Sequence, residues 1–186
     1  MKQKKTIWYL SLNMTISEAE QFIADTDINN SQPSVWADLG CGSGMFSKVL
    51  SARLYNGSRI YAIDKLVPSA IASLKKEVEI VFKQADFVID NLPLSGLHGI
   101  LMANSLHYMQ NKKDLIRKLR KYLLPGAVFV IIEYDNAKAN RWVPYPVSFS
   151  ELKILFEGEG YRTIQKTGER KSIYQSGAMY IGLIKT

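Results

Sequence analysis

The stretch VWADLGCGSGMF, residues 35–46, joins an apolar run to a glycine-rich turn and then to the first residues of an amphipathic segment. Gly40, Gly42 and Gly44 stand in G-x-G-x-G spacing, with Asp38 two residues before the first of them. A strand that turns sharply into a helix leaves unpaired backbone N–H groups and a positive dipole end facing one small volume. Glycine lets a ligand approach that backbone without meeting Cβ atoms. A nucleotide-type ligand is the first expectation. No lysine follows the glycines, as a phosphate-binding turn would want, and Met45 stands where a dinucleotide fingerprint places its third glycine. The early carboxylate suits instead a ligand with a cationic group, such as the ammonium of an amino acid. The competing reading is a tight strand–helix connection that binds nothing.

Further polar groups fall at the ends of predicted strands. Asp64 ends the run IYAID, 24 residues after Gly40, with Lys65 beside it. A carboxylate there can accept both hydroxyls of a ribose. Asp86 and Phe87 follow the next strand, an acceptor for an adenine amino group beside a ring able to stack on it. Asn104 and Ser105 close a fourth strand in LMANSLHYM. Any one acid at a strand end has a plainer role as a turn or helix cap. Their joint register points to one ligand beyond the carboxyl ends of an open α/β sheet.

His107, on the same side, titrates near neutral pH as a residue type and is the candidate general base; its other reading is a packing or cofactor-contacting histidine. Tyr108, Glu133 and Tyr134 are lesser candidates, with Glu133 alternatively capping the core at a strand end. Trp8, Tyr9, Tyr108, Trp142 and Tyr145 are candidates for an aromatic acceptor pocket, with loop packing as the alternative. No metal-binding residues are assigned.

The elements that must hold these groups alternate between extended and helical patterns, as in a mostly parallel sheet covered by helices on both faces. Strands are predicted at 34–38, 59–64, 79–83, 99–103 and 127–134, and helices at 43–55, 68–77, 111–122 and 148–157. A first helix starts at Ser17, with Ser17 and Glu20 as a capping box. Two last runs, 161–167 and 178–184, join by a turn around Gly168 with no helix between them, so they should pair antiparallel.

The 186 residues, 47% hydrophobic, suffice for one domain with its own core. No apolar run approaches the roughly 18–20 residues that span a bilayer, and the start makes a poor signal peptide. Cys41, the single cysteine, excludes an internal disulfide and fits a reducing cytoplasm. It reads as a small spacer in the turn rather than a nucleophile. The formal net charge of +7 concentrates on the 111–122 helix, at Lys112, Lys113, Arg117, Lys118, Arg120 and Lys121. That face is either solvated or a docking surface for RNA.

Asp38 to Gly44, Asp64, Asp86 and the LMANSLHYM segment together resemble motifs I to IV of the class I S-adenosylmethionine-dependent methyltransferases. The segment running on to LRKYLLPGAVFVIIEY is similar to the ubiquinone/menaquinone-type, small-molecule branch, with Ala127 in place of a usual second glycine and His98 where an aspartate is common. The resemblance covers about residues 33–135 and implies a Rossmann-like seven-stranded sheet whose last strand is antiparallel and inserted beside the sixth. It divides one domain into an N-terminal extension (1–30), a cofactor half (31–135) and a substrate-side half (136–186). It implies S-adenosylmethionine as methyl donor, S-adenosylhomocysteine as product, and a small-molecule acceptor. The cofactor-binding set it implies is Asp38, Gly40, Cys41, Gly42, Ser43, Gly44, Asp64, Lys65, Asp86, Phe87, Asn104 and Ser105. The rival expectations are an RNA methyltransferase and a cofactor-binding subunit without catalysis.

Overall fold

The computed structural model describes residues 14–28, 31–68, 70–136, 138–171 and 177–185. Five parallel strands, β1 (Val35–Leu39), β2 (Arg59–Asp64), β3 (Glu79–Gln84), β4 (Leu97–Ala103) and β5 (Leu123–Tyr134), are joined by β6 (Thr163–Lys171) and β7 (Ala178–Lys185). The sheet order is β3-β2-β1-β4-β5-β7-β6, with β7 antiparallel to both of its neighbours. This is the Rossmann-like seven-stranded sheet that the resemblance implies, with its last strand inserted antiparallel beside the sixth. Strand order reverses between β1 and β4, which places the β1 turn and the β4 end at the crevice where open α/β sheets bind ligands.

Period-two alternation along the central strands feeds two cores. Ile100, Met102, Phe129 and Ile131 join Leu115, Leu119, Leu152 and Phe156 on the face covered by α3 (Lys112–Arg120) and α4 (Phe149–Glu157). Leu101, Val130 and Ile132 join Phe22, Phe46, Val49 and Leu50 on the face covered by α1 (Ile16–Phe22) and α2 (Met45–Arg53). Gly99 lets Trp36 lie across β4: a Cβ there would sit 2.3 Å from the indole. The ring cannot easily yield, being 2% exposed and tied through its N–H to Ser34 Oγ. Gly99→Ala is therefore expected to destabilise the fold by about 3 kcal/mol through overpacking, read as a lowered denaturation midpoint. A loss within about 0.5 kcal/mol would mean that the ring shifts freely.

Several local expectations are corrected. The capping box of α1 is Thr15 with Glu18, not Ser17 with Glu20. This register sets the N-cap two residues earlier and turns Ala19 and Phe22 into the core. Among the described residues of 68–77 there is no helix. Side chains there and on α2 take up the backbone groups instead: Ser51 Oγ accepts the Leu74 N–H, Ser73 bonds Lys75, and Lys75 Nζ donates to the Leu54 carbonyl. Serine chemistry thus wins over helical propensity. Strand β5 begins at Leu123, not at residue 127, so Pro125 and Gly126 lie within it at an exposed stretch. Gly168 is no turn. It lies inside β6 at a register shift, and a Cβ there would sit 2.9 Å from Ile181. His98, where an aspartate was the common residue, accepts the Val35 N–H on Nδ1 at 3.0 Å and so ties β4 to β1.

Candidate functional site

The glycine turn is built by its surroundings. The N–H groups of Gly40 and Cys41 both donate to the Ile63 carbonyl at the end of β2. Gly40 lies against Ser105, whose Cβ would be 2.6 Å from a Cβ added there, and Ser105 Oγ donates to the Leu39 carbonyl at 2.7 Å. Gly44 is the N-cap of α2 in a left-handed conformation, and no acid occupies the first turn. The dipole end of α2 therefore carries no carboxylate of its own. At Gly42, φ is +53° and no atom lies within 4 Å of an added Cβ. That position opens on free space, as a ligand cradle requires.

Asp38 is fully buried below the turn. Its Oδ2 accepts from Ser47 Oγ at 2.5 Å, while its Oδ1 is buried without a partner. Burial raises its carboxyl to about 7, the Ser47 hydrogen bond opposing and the charge of Asp64 adding to the rise. Asp64 Oδ2 accepts the Gly42 N–H and Oδ1 the Leu66 N–H, both at 2.9 Å, so the acid of β2 reaches the turn directly. Cys41 is buried, and desolvation pushes its thiol up, with Asp38 and Asp64 reinforcing the shift. A thiol held in its protonated form is no nucleophile.

The other predicted residues arrive in unequal states. Lys65 Nζ pairs with Asp86 at 2.7 Å, and Asp86 Oδ1 accepts the Val88 N–H, so this acid is a turn cap with one cationic partner. Its carboxyl stays low through Lys65 and the Val88 and Ile89 amides, against the opposing cost of burial. Phe87 departs from the expected stacking platform: it is 5% exposed and packs into the core beside Gly40. Ser43 lies exposed at the turn. Asn104 directly follows β4 at a φ of +52°, and both of its amide atoms are buried without a partner. Asparagine is among the residues that adopt this left-handed region most readily, so the two unmatched amide atoms, not the backbone, mark the position.

His107 stands in a 3-10 turn, Leu106–Tyr108, and its Nδ1 lies 2.6 Å from Glu133 Oε2. Glu133 was a minor candidate in the sequence, because nothing in a strand-end acid announces its partner. Tyr108 packs 4.3 Å from the imidazole, and the Tyr145 N–H donates to the His107 carbonyl, so both tyrosines join His107. Trp142 is exposed on the loop before α4. Trp8 and Tyr9 lie outside the described residues. A groove of about 670 Å³ lies at the opposite, amino-terminal end of the strands, lined by Trp36, His98, Pro125 and Lys185 among others.

Residues 15–165 match the family described as methyltransferase domain, and the chain belongs to that family. A search of curated proteins finds no match. Among solved structures, the chain is similar to a Burkholderia thailandensis 1,6-didemethyltoxoflavin N1-methyltransferase with bound 1,6-didemethyltoxoflavin and S-adenosylhomocysteine. The TM-score is 0.67 at 17% identity, over 97% of this chain and 81% of that one. A SAM-dependent methyltransferase from Archaeoglobus fulgidus gives 0.66 at 14% identity, over 92% and 95%. A complex of the Haloferax volcanii Trm112 methyltransferase activator with a methyltransferase gives 0.62 at 14%, over 89% and 87%.

Proposed function

We propose that the chain transfers a methyl group from S-adenosylmethionine to a small-molecule acceptor in the cytoplasm. The residues fit this cofactor. The lone unmatched oxygen of buried Asp38 suits its ammonium, the open backbone at Gly42 and Ser43 its amino-acid and ribose portions, and Asp64 its ribose hydroxyls. Gly40, Cys41 and Gly44 shape that turn, Lys65 and Asp86 bound the adenine end with Phe87 as the floor beneath, and Asn104 and Ser105 close the side of β4. The sulfonium supplies the activation. The protein's part is to align the acceptor for in-line displacement and to exclude water. Tyr108, Tyr145 and Trp142 border the acceptor side.

One observation favours a small acceptor over RNA: the cations of α3 are engaged with the protein itself. Lys113 and Arg117 pair with Glu159, Lys112 donates to the Met109 and Tyr145 carbonyls, and Lys118 donates to those of Val88 and Asp90. Arg120 lies over the Tyr161 ring. Cations already bonded to a protein surface neutralise few phosphates. The test is methyl incorporation from labelled S-adenosylmethionine into a small-molecule extract against total RNA. Neutralising Lys113, Arg117 and Lys121 to Gln is expected to change small-molecule incorporation less than about threefold, whereas salt-sensitive RNA methylation that disappears in this variant would support the nucleic-acid reading.

A further inference from the structure

The pair formed by His107 and Glu133 is not explained by packing. Glu133 is 1% exposed in β5, amid the apolar core; its Oε1 accepts the His107 backbone N–H at 3.1 Å, and its Oε2 faces Nδ1 at 2.6 Å. One carboxylate thus holds both the backbone and the ring of His107, and as an acceptor at Oε2 it makes Nδ1 the nitrogen that carries a proton. Nε2 is then a lone-pair nitrogen, and it is buried with no partner in a residue 2% exposed. Buried polar atoms are nearly always satisfied, so this one calls for a donor. Asn104, three residues earlier, adds an unmatched carbonyl oxygen and an unmatched amide NH₂ to the same short stretch.

We propose that Glu133 is a positioning residue that holds His107 as the base of the reaction, and that the acceptor's nucleophile therefore carries an ionisable proton. The substrate class is a hydroxyl or ring N–H compound; a thioether or tertiary amine would leave Nε2 without a donor. The inference rests on the methyltransferase reading above. As the acceptor's oxygen or nitrogen bonds to the methyl carbon, its proton passes to Nε2. The carbon–sulfur bond breaks with its electron pair remaining on sulfur. The imidazolium is stabilised by the Glu133 carboxylate until it gives the proton to water. Tyr108, 43% exposed, packs on the ring, and because Nε2 is buried an acceptor reaches it only when side chains around the dyad move. The other titratable groups around the pair are Tyr134, whose ring lies 6.3 Å from that of His107, and Lys112 and Tyr180, which both sense the Glu133 charge.

The chain has two histidines, which makes the tautomer directly measurable. His98 accepts on Nδ1 and His107 donates from Nδ1, so nitrogen NMR of ring-labelled protein bound to S-adenosylhomocysteine should show two opposite tautomers. Glu133→Gln is expected to blur the His107 tautomer while changing S-adenosylhomocysteine affinity less than about threefold. His107→Gln should lower methyl incorporation into the small-molecule extract by about 10²–10⁴-fold, recovering in part at high pH, where the acceptor ionises unaided. Folding is checked by circular dichroism and by the retained affinity. A proton on Nε2 of His107 in the complex, or a variant as active as wild type, overturns the proposal and leaves the methyltransferase reading standing. Failure of the wild-type chain to bind S-adenosylhomocysteine removes both.

Discussion

Gly42→Val is expected to abolish S-adenosylmethionine binding, with at least about a 100-fold rise in Kd, in a protein that still folds. The reason is where the side chain goes. No protein atom lies within 4 Å of a Cβ at this position, so the branched methyls point into open space at the mouth of the turn. The fold bears only the strain of a β-branched residue at a φ of +53°, on the order of 1–2 kcal/mol. The ligand bears the volume. Gly42→Ala separates the two effects, because it meets similar backbone strain with much less bulk. Calorimetry should then rank glycine, alanine and valine in falling affinity, while the denaturation midpoints of alanine and valine stay close together. Equal affinity in all three would reduce the turn to a connection between β1 and α2.

Cofactor affinity should also depend on pH through Asp38. Its carboxyl sits at about 7 because the group is buried, with Asp64 adding repulsion. The sign follows from linkage. A folded-state value raised above the unfolded one means that the folded chain holds an extra proton between about pH 4 and about pH 7. Stability contributed by the protonated acid is thus present at low pH and lost as pH rises through about 7. An ammonium beside the unmatched Oδ1 favours the ionised form and reverses that loss. Binding must release the proton below about pH 7, so affinity is expected to rise up to about tenfold per pH unit there and level off above. The stabilisation of the melting temperature by S-adenosylhomocysteine should grow over the same interval. Asp38→Asn, which keeps an acceptor for Ser47, should bind more weakly and flatten the profile. A wild-type profile that is flat from about pH 6 to about pH 8 would separate Asp38 from the ligand's ammonium.

The spacing of Asp38, the three glycines and Asp64 was sufficient to place the turn at the ends of β1 and β2, because apolar runs of strand length and a glycine-rich break are local signals. The alternation of extended and helical segments likewise carried the helices on both faces, and the structure sets Ile100 and Met102 in one core and Leu101 in the other. The antiparallel tail was legible from the missing helix between its two runs. What the sequence left open depended on partners distant in the chain. The 68–77 segment reads as a helix until α2 offers Ser51 and the Leu54 carbonyl to its backbone. Phe87 reads as a stacking ring until Gly40 draws it into the core. The α3 cations read as a solvated face or an RNA-docking face, and the sequence gives no sign that Glu159, 39 residues beyond Arg120, folds back to pair with Lys113 and Arg117. His107 and Glu133 stand 26 positions apart, and no propensity or spacing rule joins a turn histidine to a strand-end acid. Only the parallel register of β4 and β5 brings them within 2.6 Å, and it is burial in that register that leaves one imidazole nitrogen unmatched.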